Sequence, residues 1–324
     1  MTLFIRRALA TLCAAFAGFA WAQAYPNKPV KIIVPFAAGG PADIYARVIG
    51  EKLQAALGQS FVVEDRPGGG AIIGTDAVAK SAPDGYTLLM MSNTHTVNES
   101  LFAEKGKPYV LLRDLVPVAP VNYSDLVMVV HPSVPANTLA EFIALAKAKP
   151  AGLNYASSGP GTPYHMAGEL FKSMAGVDIV HVPYKGSAGA RTDILGGQVQ
   201  MMFDAITTMA PNVRAGKLKA LGTSGKVRSG VLPEVPTLSE AGVPGYDAVI
   251  WLGIMAPAGT PKAVVDRLNA EITKAVNSPE LKKSWADQGA VPMSMTPDEF
   301  GRFMREDIEK WSRIVKISGA RPDQ

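Results

Sequence analysis

Twice in this chain a short apolar strand runs through small, flexible residues into a helix opened by proline, and this repeated junction constrains the fold most. Residues 153–156 read as a strand, 157–161 as a loop, and Thr162-Pro163 as an N-cap followed by a first-turn proline. Earlier, Ile32-Ile33-Val34 is the strand, Ala37-Ala38-Gly39-Gly40 the loop and Pro41 the first helical residue. Asp43 follows in the first turn, and Val48, Ile49 and Leu53 continue a helical stripe. A helix N-terminus presents unpaired N–H groups with the positive end of the dipole behind them, so each junction favours an anion. Two such junctions point to two walls of one cleft.

The remaining chain alternates strand and helix. Residues 61–64 form a strand before Arg66-Pro67-Gly68-Gly69-Gly70 and a helix to Ala79, and Pro83-Asp84-Gly85 is a turn. Residues 86–91 make a buried strand that runs into the polar loop Ser92-Asn93-Thr94-His95-Thr96. Residues 106–120 carry prolines and no clean period. Strands follow at 126–130, 179–182, 199–203 (ending at Asp204), 218–222 and 249–256, while 224–247 are loop-rich. Thr138-Leu139-Ala140-Glu141 is a capping box, and Gly176 stops the helix that begins at Pro163. Pro183-Tyr184-Lys185-Gly186-Ser187 leads into another helix. Two helices close the chain, one from Thr260-Pro261 and one from the capping box Thr296-Pro297-Asp298-Glu299. The alternation predicts an α/β architecture, in which ligands bind beyond the carboxyl ends of strands.

At those strand ends the candidate ligand-binding residues are Phe36, Ala38, Gly39, Gly40, Asp43, Ser92, Asn93, Ser157, Ser158, Gly161, Thr162, His165, Tyr184, Lys185, Arg191 and Asp204. Each has a bland counterpart. The glycines also suit tight turns, and the Asp43 carboxylate also complements the helix dipole. His165 either donates to an anion or satisfies a local backbone group, and Phe36 and Tyr184 either floor the pocket or pack within it. Lys185 and Arg191 are the cations beside the loops, with a solvated surface role as the alternative. Asp204 would repel a carboxylate unless it accepts from a hydroxyl or amine. His131 and His181, on strands, read as packed core residues.

The first 24 residues read as a secretory signal peptide: Arg6-Arg7, an apolar run from Ala8 to Trp21, and small-x-small sites that place the mature start at Gln23 or Tyr25. A membrane anchor needs about 20 apolar residues, and this run is shorter. Cys13, the only cysteine, lies inside that leader, so the mature chain has no thiol for catalysis, zinc or disulfides. Removing Arg6 and Arg7 lowers the formal charge of +4 by two, and no basic run remains, which argues against nucleic acid as a partner. With 324 residues, 48% hydrophobic and 19% charged, two globular domains are expected. The compartment that fits is the periplasm of a Gram-negative bacterium.

The motifs of two enzyme classes, a dinucleotide enzyme and a serine hydrolase, are incomplete. The glycines after residues 61–64 miss the dinucleotide spacing Gly-x-Gly-x-x-Gly, since the last falls at Gly74. Neither Ser157-Ser158-Gly159 nor Thr223-Ser224-Gly225 supplies the Gly-x-Ser-x-Gly of a serine hydrolase. No histidine pair has metal-ligand spacing, so no metal, cofactor or catalytic residue is expected.

Six stretches in order complete the pattern: Phe36 through Asp43, Arg66 through Gly70, Ala82 through Leu88, Asn154 through His165, His181 through Gly186, and Pro233-Glu234-Val235-Pro236-Thr237. Together they resemble the Bug receptors, the extracytoplasmic solute-binding subunits of tripartite tricarboxylate transporters, from about Tyr25 to about Ala320. The resemblance implies a two-domain flytrap, with residues 25–124 and 249–324 forming domain 1 and 125–248 domain 2. It implies a ligand carboxylate held by backbone amides and ordered waters at the two junctions, membrane permease subunits as partners, and no catalysis. We expect a monomer. Lys105 through Leu112, Pro160 and Arg191 depart from the family pattern, Arg191 standing where an apolar residue is usual.

Overall fold

In the computed structural model residues 25–322 are described, and the leader reading at 1–24 lies outside them. The elements run β1 (Val30–Val34), α1 (Pro41–Leu57), β2 (Phe61–Asp65), α2 (Ile72–Ala79), β3 (Thr87–Ser92), α3 (Thr94–Leu101), α4 (Leu111–Asp114), β4 (Leu115–Val130), α5 (Leu139–Ala148), β5 (Asn154–Ser157) and α6 (Pro163–Ala175). They continue β6 (Val180–Pro183), α7 (Ser187–Leu195), β7 (Met201–Ala205), α8 (Ile206–Arg214), β8 (Lys219–Thr223), β9 (Val249–Pro257), α9 (Lys262–Val276), α10 (Pro279–Ala286), β10 (Ala290–Pro292) and α11 (Pro297–Ser318).

Strand β4 threads the molecule. As far as Asp125 it pairs antiparallel with β9, and from Leu126 onward with β7 and β8. The sheet order is β2-β1-β3-β9-β4-β7-β5-β6, with β8 and β10 also paired to β4. The outer strands on each side, β2-β1-β3 and β7-β5-β6, are parallel, as βαβ crossovers require. The first half of β4 is the stretch in which the sequence shows no period. Pro117 and Pro120 interrupt it, and the ladder to β9 shifts register just after each of them. A proline has no N–H for a ladder, so a strand carries it at a bulge.

Each half of the sheet is covered on both faces. Ile32, Leu88 and Met90 pack under Ile49 and Leu53 of α1 and Leu268 and Ile272 of α9. Their neighbours Ile33, Leu89 and Met91 face Trp251, Phe300 and Met304 on the other side. In the second half Leu126, Met128 and Val130 join Phe142 and Phe171, while Val127 and Val129 join Ile194 and Met209. Successive strand residues point to opposite faces, so burial on both faces demands the continuous apolar runs seen in the sequence. Helix α11 spans the halves: Phe300 and Met304 enter a core of the first and Trp311 a core of the second.

The helix signals work as the residues suggest. Thr138 with Glu141 and Thr296 with Glu299 form reciprocal capping boxes, and Gly58 and Gly176 end α1 and α6 in the left-handed region at φ 72° and 62°. Two corrections are needed. Three helices, not two, follow β9 among the described residues, because Ser278 caps α10 and Pro279 opens it. His131 is not in the core: it is partly exposed just beyond β4, its Nδ1 2.7 Å from the Ser133 hydroxyl.

Ser224 clips the two stretches that pass between the halves. Its hydroxyl accepts from the Leu126 N–H at 2.8 Å and donates to the Ala248 carbonyl.

Candidate functional site

Between the two halves of the sheet, three helices begin at one small cavity. Its lining includes Pro41, Pro163 and Ser187, the first residues of α1, α6 and α7, with Phe36, Ala37, Gly40, Ser92, Ser158, Tyr164 and Gly186 around them. Ala42 of α1 and Ile250 and Leu252 of β9 complete the lining. The first N–H groups of a helix have no intrahelical partner, so three positive helix ends converge on one volume. The lining holds no lysine and no arginine.

Across this cavity the walls touch. At Gly186, whose φ of 149° already favours glycine, a Cβ would lie 2.6 Å from the Cβ of Ala37. At Gly161, φ 72°, a Cβ would meet Asn98 Oδ1 at 2.6 Å. The cavity is accordingly small, about 30 Å³, room for one or two waters. An adjoining chamber of about 210 Å³ shares Phe36 and Ser158 with it and adds Gly68, Gly70, Phe102, Pro160, Thr162, Tyr184 and Lys185.

Of the residues expected at the site, Phe36, Gly40, Ser92 and Ser158 line the inner cavity, and Thr162, Tyr184 and Lys185 line the chamber. Ala38, Gly39, Asp43, Asn93, Ser157, Gly161, His165, Arg191 and Asp204 line neither. Most of these fold the loops. The Gly39 N–H donates to Asp43 Oδ2 at 2.8 Å, and Asp43 Oδ1 lies 2.7 Å from Arg47 Nε, so this carboxylate closes the α1 junction. Ser157 Oγ accepts the Gly159 N–H at 3.1 Å and lies 2.6 Å from His181 Nε2, while the Thr162 hydroxyl donates to the Gly159 carbonyl at 2.7 Å. The Asn93 amide donates to the Val249 carbonyl at 3.0 Å, and the Tyr184 hydroxyl donates to Asp193.

His165 is fully buried, and its Nδ1 accepts the Gly161 N–H at 3.1 Å. Burial first, then the neighbouring His181, holds its pKa well below the usual imidazole range, so it is neutral. Its ring stacks on half-buried His181 at 4.2 Å between centroids. His95, also buried, is lowered to about 4 by desolvation and ties Thr75 Oγ1, 2.9 Å away, to the end of β3. Asp204 is buried beside Arg191, with 2.9 Å between Oδ2 and Nε. Burial pushes its carboxyl up to about 6 against the pull of the guanidinium.

The sequence reading missed Ala37, Tyr164, Ser187, Ile250 and Leu252. For Ser187 a signal existed, since Gly186-Ser187 after β6 is a third strand–glycine–helix junction without its proline. Among the described residues no group of three or more His, Cys, Asp or Glu could hold a metal ion, and no helix is long and apolar enough to cross a membrane.

The family model of the tripartite tricarboxylate transporter family receptor (TctC) matches residues 45–320. The chain belongs to this receptor family. Protein BugT of Bordetella pertussis is 40% identical over 300 residues, covering 93% of this chain and 92% of BugT. Among solved structures, Rpa4515 of R. palustris with adipate superposes with a TM-score of 0.88 at 33% identity, covering 92% of this receptor and 99% of that chain. MatC from Rhodopseudomonas palustris with bound malate gives 0.84 at 32% identity, with 90% and 100% covered. The fold of this receptor is therefore that of the two-domain solute-binding proteins.

Proposed function

We propose that this receptor captures a small organic carboxylate in the periplasm and hands it to the permease subunits of a tripartite transporter, without catalysing a reaction on it. The observation that carries the reading is the convergence of three helix N-termini on a cavity whose lining has hydroxyls and amides but no cation. A carboxylate there would accept from backbone N–H groups and from Ser158, a mode in which each charge-assisted bond is worth roughly 1.5–3 kcal/mol. Relatives seen with adipate and with malate make a dicarboxylate the first class to try. The export signal at residues 1–24 supplies the compartment, and a monomer suffices, since both walls come from one chain. The domains in this reading are residues 25–124 with 249–324, and 125–248, meeting where β4 changes partner at Asp125 and Leu126.

Isothermal titration of the mature protein with malate, adipate, citrate, glutamate and benzoate tests this. At least one acid should bind with a single site, and Ser158→Ala should weaken it about tenfold. Binding of none, or turnover of a nicotinamide cofactor or an ester, would sink the reading.

A further inference from the structure

The surroundings of Arg191 give it a task away from the ligand. It lies on α7 one turn after Ser187, its side chain mostly buried. Its Nε is 2.9 Å from Asp204 Oδ2 on β7, and its terminal NH2 donates to Ser187 Oγ at 2.7 Å. The same NH2 reaches across the cleft to the Gly39 carbonyl at 3.3 Å, on the loop that leads into α1. Two of these partners belong to the wall that carries Arg191. The third belongs to the opposite wall.

That division matters. Bonds to Asp204 and Ser187 survive any movement of one wall against the other, while the bond to Gly39 exists only when the walls meet. An interaction present in one state alone is what shifts a two-state equilibrium. Asp204 answers the guanidinium charge and holds its planar fork in place, so little side-chain freedom is lost when the cross-cleft bond forms. Donation into Ser187 Oγ also occupies an acceptor side of that hydroxyl and leaves its hydrogen free, and Ser187 lines the cavity.

We propose that Arg191 is an interdomain latch: anchored on Asp204, it fastens the start of α7 to the Gly39 carbonyl of the facing wall and turns the Ser187 hydroxyl toward the cavity as a donor. The latch favours the closed arrangement even without ligand. Its second part, the Ser187 donor, rests on the carboxylate reading above.

The mature chain carries no cysteine once Cys13 leaves with the leader, so spin labels can be placed cleanly at Ala55→Cys on α1 and Ala148→Cys on α5, both exposed. Pulsed dipolar spectroscopy on the ligand-free protein should show a short-distance population. Arg191→Met, which keeps the aliphatic stem, should deplete it, and Arg191→Lys should restore it in part. Because Arg191→Met alone strands a buried carboxyl, the double variant Arg191→Met/Asp204→Asn removes both charges together, and it should open the cleft as far as the single change does. The acid bound tightest by the parent among malate, adipate and citrate should leave Arg191→Met about tenfold faster, with association altered less than twofold. Unchanged distances in both Met variants would overturn the latch. If no acid binds the parent, the carboxylate reading and the Ser187 donor fall, while the distances still decide the latch.

Discussion

Asp307 on α11 is largely buried, and it accepts a 2.5 Å hydrogen bond from the Thr96 hydroxyl. Burial pushes its carboxyl up to about 6, with Thr96, Lys310 and the two indoles of Trp251 and Trp311 opposing. An unfolded aspartate titrates near 4, so between about pH 4 and 6 the native state binds more protons at this site than the unfolded one. Stability from this group therefore falls as the pH rises through that window and is flat above it. Asp307→Asn keeps an acceptor for Thr96 and removes the buried charge. It should raise stability most above pH 6, with the gain shrinking toward pH 4; urea unfolding at pH 8 and pH 5 reads the difference, and an equal gain at both would contradict it. Single residues were the least legible scale of the site. Ser157, Thr162 and His165 stand where a ligand would want donors, yet their hydroxyls and ring close the loop on itself. The same spacing of two or three residues serves both tasks, and only the direction of the side chain separates them.

Local capping made the helices readable, and it gives an element-scale prediction. Thr162 accepts from the His165 N–H at 3.4 Å and donates to the Gly159 carbonyl, so one side chain starts α6 and folds the loop before it. Thr162→Ala should cost about 1–2 kcal/mol of stability, seen as a lower urea midpoint with an unchanged slope. An unaltered midpoint would mean that Pro163 alone sets the start of the helix. Strands were readable where both faces are buried, as at residues 86–91 and 126–130, because continuous apolar runs leave no ambiguity. The first half of β4 was not, since Pro117 and Pro120 contradict a strand locally and only pairing with β9, whose register shifts beside them, makes one. The helix α10 was overlooked although Ser278-Pro279 announces it; its eight residues are too few for a visible stripe.

At the scale of the molecule, the two halves of the sheet share β4 and α11, and α3 of the first half lends Val97 and Leu101 to a core of the second. Repetition of one junction carried the inference of two walls, and the third junction, at Gly186-Ser187, completes the set of helix ends around the cavity. Contact between the walls leaves the inner cavity with about 30 Å³, so an organic acid enters only if they part. We expect hinge closure around a ligand from that geometry, with the Ser224 clip between the crossing stretches as its pivot. The most direct test of the whole account is native mass spectrometry of the protein purified from the periplasm without exposure to added acids. The account predicts a species heavier than the mature chain by the mass of one small carboxylic acid, lost on unfolding. A chain that stays bare after incubation with mono-, di- and tricarboxylates, or that carries a cationic or uncharged ligand, would contradict it.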